Sequence, residues 1–225
     1  MLTITDTWKA AHPGAAAGAL LMRNVANPER HPALEEKKAL LEETLRVRFA
    51  GWNRAAFVAL PSIVPYVAYY ARFKKTYHVL LQLESVALKG KSLPNVAALV
   101  EVMFMSELQN HLLTAVHDWA AIEGPVRLDV ASGDERYILL SGQEQTLKPD
   151  DMFMADARGV ISSVIYGPDA RTRITPATTS ALFTVYAPPG IDDAAVEGHL
   201  QDIVTYAQLI APQVEIATLA VYRAG

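Results

Sequence analysis

Cysteine is absent from the 225-residue sequence. This absence excludes a disulfide-stabilised scaffold, a cysteine nucleophile and any zinc site that needs thiolate ligands. Residues 1–6 do not form a basic segment followed by an apolar run, so we expect no secretory signal peptide. Both features are compatible with a reducing compartment, and we expect a cytoplasmic protein.

Positive charge is not in excess either. The 20 Lys and Arg residues are outnumbered by 24 Asp and Glu residues, which gives a formal net charge of −4. This charge creates no general attraction for nucleic acid, so we expect no DNA partner, and any RNA contact requires a local basic patch.

A long hydrophobic run is also missing. The nearest approach is residues 55–71, which carry no charged side chain but include Pro61 and Pro65. Seventeen residues are the lower limit for crossing a bilayer of about 30 Å, and the tyrosines in this segment need hydrogen-bond partners. We therefore expect buried core with a break and no membrane contact.

The motifs of common catalytic sites are absent as well. The sequence has no Gly-x-Gly-x-x-Gly, no phosphate-binding loop, no His-Glu-x-x-His and no Gly-x-Ser-x-Gly. His111 and His117 are six residues apart, a spacing that does not place two metal ligands on one helical face. The sequence therefore predicts neither a metal site nor a cofactor.

Hydrophobic residues make up 51% of the sequence, enough for a large core, and their pattern changes near Gly124. Before it, helical spacing predicts helices over residues 32–49 and 76–88 and a third after Pro94. After it, period-two alternation predicts strands at residues 126–130, 136–140, 152–155, 160–166, 182–186 and 214–222, and a helix runs from Asp192 to about residue 210.

This pattern predicts an α+β fold, a single compact domain in which a helical N-terminal part packs on a mixed or antiparallel sheet. We expect residues 1–75 to form the helical N-terminal extension and residues 76–225 to form the core.

Cations and aromatic residues interleave from Tyr69 to His78. Arg72, Lys74 and Lys75 are candidate RNA-binding residues, because cations hold a phosphate backbone while rings stack on unpaired bases. The alternative is a loop with solvated cations and buried rings.

Two further local features involve side chains that bind anions or move protons. Arg171 and Arg173 point to the same side if the chain is extended and would form a fork for phosphate or carboxylate; the alternative is a turn ion-paired with Asp169. His117 and Asp118 place an imidazole beside a carboxylate, but adjacent helical residues do not face each other, so His117 would need partners elsewhere.

A succession of short motifs runs from Lys89 to about Ile191. It consists of Lys89–Pro94, Leu99–Glu101, Ser106, Ala115–Asp118, Ile122–Gly124, Asp134–Arg136, Lys148–Met152, Asp156–Gly159, Arg171–Thr175 and Thr178. In this order the motifs resemble the B3/B4 domain, the editing module of the phenylalanyl-tRNA synthetase beta subunit, and most closely the free-standing proteins that carry it. The resemblance covers about half of the chain and implies an α+β fold built on a central sheet with helices around it.

In the synthetase this module hydrolyses tyrosine wrongly esterified to phenylalanine tRNA. The resemblance therefore implies a hydrolase that acts in trans on a mischarged aminoacyl-tRNA, of the tyrosyl type or another, with the tRNA acceptor end as its partner. Such hydrolysis needs a positioned water but no serine or cysteine nucleophile. The alternative is a non-catalytic module that binds a free amino acid or a protein. It is favoured by the acidic net charge and by two departures from the family, at His117 and at Phe104, where the family usually has asparagine.

The resemblance and the local features together give the candidate site. The catalytic candidates are His117, which would hold or deprotonate water, and Glu101; either Glu101 or Asp118 would bind the substrate ammonium. The substrate-binding candidates are Asp118, Ser106, Arg171, Arg173 and Thr178, and the RNA-binding candidates remain Arg72, Lys74 and Lys75.

Overall fold

The computed structural model of the chain describes residues 2–225, which form an α+β architecture with two principal sheets. The first sheet has the order β1 (Leu2–Ile4), β4 (Val126–Val130), β7 (Met152–Asp156), β8 (Gly159–Ser163) and β9 (Gly167–Pro168). The second has the order β11 (Glu215–Arg223), β2 (Ala16–Arg23), β10 (Ser180–Ala187) and β3 (Leu113–Asp118). Strand β1 pairs in parallel with β4, and the other pairs are antiparallel. A separate hairpin joins β5 (Arg136–Ile138) to β6 (Glu144–Thr146).

The helices lie before, between and after these strands. They are α1 (Asp6–Ala11), α2 (Pro32–Arg48), α3 (Arg54–Val58), α4 (Val64–Arg72), α5 (His78–Ala87), α6 (Ala98–Asn110) and α7 (Asp193–Ile210), with a 3₁₀ turn at Trp119–Ala121. None of the helices within residues 2–225 combines the length and the apolarity needed to cross a bilayer.

Local sequence signals explain where the longest helices begin. Pro32 occupies the first turn of α2, where its missing N–H leaves no hydrogen bond unmade. The Asp192 side chain accepts a hydrogen bond from the Ala195 N–H at 2.6 Å and so caps α7. The helices predicted at residues 32–49, at 76–88 and from Asp192 are confirmed within two residues at each end.

The prediction that the first 75 residues are helical is wrong for two segments. Strand β1 extends the first sheet, and β2 lies between β10 and β11 inside the second. Seven of the eight residues of β2 are buried, so the strand shows no period-two alternation that sequence analysis could detect. His117 and Asp118 likewise lie in the strand β3 and not in a helix, and adjacent side chains of a strand point to opposite faces of the sheet.

The expectation of buried core with a break over residues 55–71 is confirmed by α3, α4 and the three tyrosines of α4. The Tyr66 hydroxyl donates to the Tyr186 carbonyl at 2.8 Å, and the Tyr70 hydroxyl donates to the Val164 carbonyl at 2.7 Å. The Tyr69 hydroxyl donates to a carboxylate oxygen of Asp151 at 2.8 Å. These bonds tie α4 to β10 and to the residues that directly precede β7 and follow β8, and they satisfy the buried hydroxyl groups.

Candidate functional site

A cavity of about 340 Å³ lies where α6 meets residues of both principal sheets. This volume is within the range of small-molecule binding sites. Helix α6 contributes one wall, strand β3 a second and the β8–β9 segment a third. The lining residues are His78, Val100, Met103, Phe104, Glu107, Leu113–Val116, Leu140, Ser163, Val164, Gly167, Pro168, Arg173, Ile174 and Tyr186.

The cavity walls are mainly apolar, with one buried acid among them. Glu107 is 1% exposed, and one of its carboxyl oxygens accepts a hydrogen bond from the Thr114 N–H at 2.9 Å. The other oxygen has no hydrogen-bond partner within residues 2–225. Burial raises the pKa of Glu107 to about 8, so the side chain is mainly neutral at pH 7.

The mouth of the cavity carries exposed residues of a different character. His78, Leu140 and Arg173 are all exposed, and they come from three separate segments of the chain. Arg173 makes no hydrogen bond or ion pair with the part of the chain that the structure describes. A free guanidinium beside an apolar cavity can bind a phosphate or a carboxylate through two parallel hydrogen bonds.

The two predicted arginines therefore have different surroundings. Arg171 donates to the Ala121 carbonyl at 2.6 Å and to Asp156 at 2.9 Å, and its Nε lies 3.7 Å from an Asp169 oxygen. This is the ion-paired turn that the sequence left open as the alternative. Only Arg173 reaches the cavity.

The two predicted catalytic residues lie elsewhere. His117 is fully buried outside the cavity lining, with its Nδ1 at 2.8 Å from the Thr172 hydroxyl. Burial lowers the pKa of His117 to about 3 and keeps the imidazole neutral. Glu101 is 2% exposed and accepts hydrogen bonds from Lys38 Nζ at 2.8 Å and from the Val96 N–H at 2.9 Å. The structure does not bring either side chain to the cavity.

The remaining substrate candidates form contacts within the fold. The Thr178 hydroxyl donates to Asp118 at 2.7 Å, and the other Asp118 oxygen accepts from the Ala120 N–H at 3.0 Å. Ser106 is completely buried outside the cavity lining, and its hydroxyl has no partner within residues 2–225. Asp118 and Thr178 thus hold each other and connect β3 to the segment before β10.

The three predicted RNA-binding residues lie in the connection between α4 and α5. Arg72 and Lys74 line an open groove together with Phe73, Lys148, Pro149 and Asp150, which we call the basic groove. Within it, Arg72 lies 3.8 Å from Asp150, and Lys148 donates to the Phe73 carbonyl at 3.3 Å. Lys75 lies 4.8 Å from the centre of the Tyr166 ring. Residues 72–78 therefore lead from the basic groove to His78 at the cavity mouth.

Sequence reasoning missed His78 and Glu107 as cavity residues. His78 is the last residue of the cation-rich segment, and no local pattern distinguishes it from the residues beside it. Glu107 is a charged residue on the apolar helix α6, which is the signal that could have identified it, since a buried acid is rare without a specific role.

Comparison with known proteins places this geometry in a family context. The N-terminal fragment of the phenylalanyl-tRNA synthetase beta subunit from Pyrococcus horikoshii superposes with a TM-score of 0.51 at 12% sequence identity. The match covers 98% of this chain and 50% of that one, so this chain spans about half the length of that structure and shares its fold. A search of curated proteins returned no match. A model of the B3/4 domain matches residues 66–205, more than half of the sequence, and the chain therefore belongs to the B3/4 domain family.

Proposed function

We propose that the cavity binds the aminoacyl group of an aminoacyl-tRNA and that the protein hydrolyses this ester in trans. The observation that carries the proposal is the combination of an apolar cavity of about 340 Å³ with Arg173 at its mouth, which has no partner within residues 2–225. An aminoacyl ester on a tRNA acceptor end has the complementary parts, a compact side chain followed by a ribose and a phosphate.

The walls of the cavity favour an apolar or aromatic amino-acid side chain. Met103, Phe104 and Leu113 surround the space, and burying apolar surface against them contributes about 25 cal/mol per Å². Glu107 adds little charge near pH 7, because its carboxyl is mainly protonated there. A charged amino-acid side chain would lose its hydration in this cavity without gaining a partner of opposite charge inside it.

The cations outside the cavity suit the nucleic-acid part of such a substrate. Arg173 stands at the mouth for the terminal phosphate, and the basic groove supplies Arg72 and Lys74 for the backbone of the acceptor strand. Along the chain, Lys75 lies between Lys74 of the basic groove and His78 at the cavity mouth. The arrangement concentrates cations locally on a protein whose net charge is negative.

The test is deacylation of a panel of mischarged tRNAs by the wild-type protein and by Arg173→Ala. We expect hydrolysis of one ester or a small group of esters, and a loss of about 10- to 100-fold in kcat/KM for the variant, the range of one charge-assisted hydrogen bond. Arg30→Ala is the matched control, because Arg30 is also exposed and has no partner within residues 2–225. Arg171 stays intact because its removal would leave Asp156 without its ion-pair partner. Equal rates for Arg173→Ala and wild type would refute the proposed role of Arg173.

A second candidate is a non-catalytic module that binds a free amino acid. It is favoured by one observation, the burial of His117 and Glu101 outside the cavity. In that case no ester is hydrolysed, while one free amino acid raises the melting temperature in proportion to the logarithm of its concentration above Kd. Measurement of melting temperature across the amino acids separates this candidate from the hydrolase.

A further inference from the structure

A histidine and a tyrosine form a pair at the mouth of the cavity. His78 is the first residue of α5 and lines the cavity, whereas Tyr70 is buried in α4. The Tyr70 hydroxyl lies 3.1 Å from Nδ1 of His78 and 2.7 Å from the Val164 carbonyl oxygen. The imidazole therefore lines the cavity, and the Tyr70 hydroxyl holds its Nδ1.

The hydrogen-bond geometry fixes which nitrogen of His78 carries the proton. A tyrosine hydroxyl has one hydrogen, and the Val164 carbonyl can only accept. Since the short bond to Val164 takes that hydrogen, Nδ1 of His78 must donate to the Tyr70 oxygen. The neutral imidazole therefore has its lone pair on Nε2, which has no protein partner within residues 2–225.

The surroundings keep this imidazole neutral. Desolvation against the cavity wall lowers the pKa of His78 below its ordinary value. The positive end of the α5 dipole acts in the same direction, because His78 occupies the first turn. Of the other cavity-lining residues, Arg173 is a cation and Glu107 is mainly neutral near pH 7, so neither supplies a negative charge that would favour the imidazolium.

We propose that His78 is the general base of the hydrolysis and that Tyr70 is a positioning residue that holds its tautomer. The inference rests on the proposed function. Nε2 of His78 removes a proton from a water molecule as the water oxygen bonds to the ester carbonyl carbon. The bond between that carbon and the ribose oxygen then breaks, and the imidazolium returns the proton to the ribose oxygen. The products are the free amino acid and a tRNA with an intact terminal hydroxyl.

The experiment measures kcat and KM separately, from steady-state deacylation by wild type, His78→Gln and Tyr70→Phe. We expect His78→Gln to lower kcat by about 10²- to 10⁴-fold with little change in KM, the range of general base catalysis. Tyr70→Phe should lower kcat by about tenfold, because the His78 imidazole loses one hydrogen bond but is still present as the base. His31→Gln is the control, since His31 lies at the start of α2 outside this cavity.

A chemical rescue separates catalysis from folding. For His78→Ala, imidazole added to the buffer should restore part of the rate, which repair of a purely structural defect would not do. A wild-type rate in His78→Gln, or no rescue of an inactive but folded His78→Ala, overturns the assignment of His78 while wild-type hydrolysis sustains the proposed function. A wild-type protein that hydrolyses no ester overturns both.

Discussion

Glu107 shows how a single buried residue sets the properties of the cavity. Its position on α6 removes the carboxyl group from water, and one N–H of Thr114 is its hydrogen-bond donor. One hydrogen bond does not replace the hydration of a carboxylate, so the neutral form is favoured up to a pKa of about 8. The cavity therefore remains mainly uncharged over the pH range in which the protein would meet its substrate.

This pKa predicts a pH-dependent stability that Glu107→Gln removes. Above the ordinary carboxyl pKa the unfolded chain releases the proton, while the folded protein keeps it until about pH 8. Rising pH therefore favours the unfolded state, by up to about 1.4 kcal/mol per pH unit over that window. We expect wild type to lose stability relative to Glu107→Gln as the pH rises from about 5 to about 8.

Urea denaturation of both proteins at several pH values measures this difference. Asp151, whose pKa burial raises to about 7, is present in both proteins, so its contribution cancels. A difference in the free energy of unfolding that stays constant between pH 5 and 8 would show that Glu107 is ionised in the folded state.

At the scale of elements, β2 organises the second sheet. It pairs with β10 on one side and β11 on the other, and α7 packs across it. A Cβ atom at Gly18 would lie 2.8 Å from Val196 Cγ1 and 3.2 Å from Leu200 Cδ1. The missing side chain thus allows α7 to approach the sheet closely.

The close approach predicts opposite effects for two glycine substitutions. Gly18→Ala should destabilise the protein by about 1–3 kcal/mol, because two side chains of α7 must move to admit the methyl group. Gly198→Ala is the matched control on the exposed face of α7. Outside the adjacent backbone of α7, no atom of residues 2–225 lies within 4 Å of the added Cβ, and the substitution should stabilise by about 0.5–1 kcal/mol. Thermal unfolding measures both, and a neutral Gly18→Ala would contradict the packing described for β2.

Elements that face water on one side were predictable from the sequence. The helices α2 and α7 and the strand β4 alternate buried and exposed positions, and they lie where the pattern placed them. The strands β2 and β3 are buried on both faces, so their sequences carry no periodicity that separates strand from helix.

The site was less accessible to sequence reasoning than the fold. Arg173 was identifiable as one of two arginines a single residue apart, but nothing in the sequence showed that Arg171 binds Asp156 instead of a ligand. The tautomer of His78 depends on Val164, which is 86 residues further along the chain, through the Tyr70 hydroxyl. Such partners are set by tertiary packing, which local patterns do not contain.

At the scale of the whole molecule, a negatively charged protein presents a small cationic surface. The net charge is −4, yet the basic groove and Arg173 collect cations near one cavity. We therefore expect tRNA binding that is local and strongly dependent on salt.

The salt dependence of tRNA binding tests whether Lys74 and Lys75 contact the RNA. For single-stranded contacts, each lysine on a phosphate contributes about 0.7 to the slope of log K against log salt concentration. Lys74→Gln/Lys75→Gln should reduce the magnitude of this slope by about 1.4, since it removes two contacts. Lys89→Gln/Lys91→Gln makes the same charge change on exposed residues outside the groove and should leave the slope unchanged. Equal slopes for the two double variants would show that Lys74 and Lys75 do not contact RNA.

The central claim is that the cavity beside α6 holds the aminoacyl group. The most direct measurement is the Kd of a non-hydrolysable 3′-aminoacyl-adenosine amide with an apolar side chain, for wild type, Val100→Phe and Val47→Phe. Val100 is a half-buried residue of the cavity wall, so the larger ring occupies the ligand space, whereas Val47 is exposed on α2 away from it. We predict at least about tenfold weaker binding for Val100→Phe and an unchanged Kd for Val47→Phe, with both variants folded. Binding by Val100→Phe as tight as that of wild type would contradict the account.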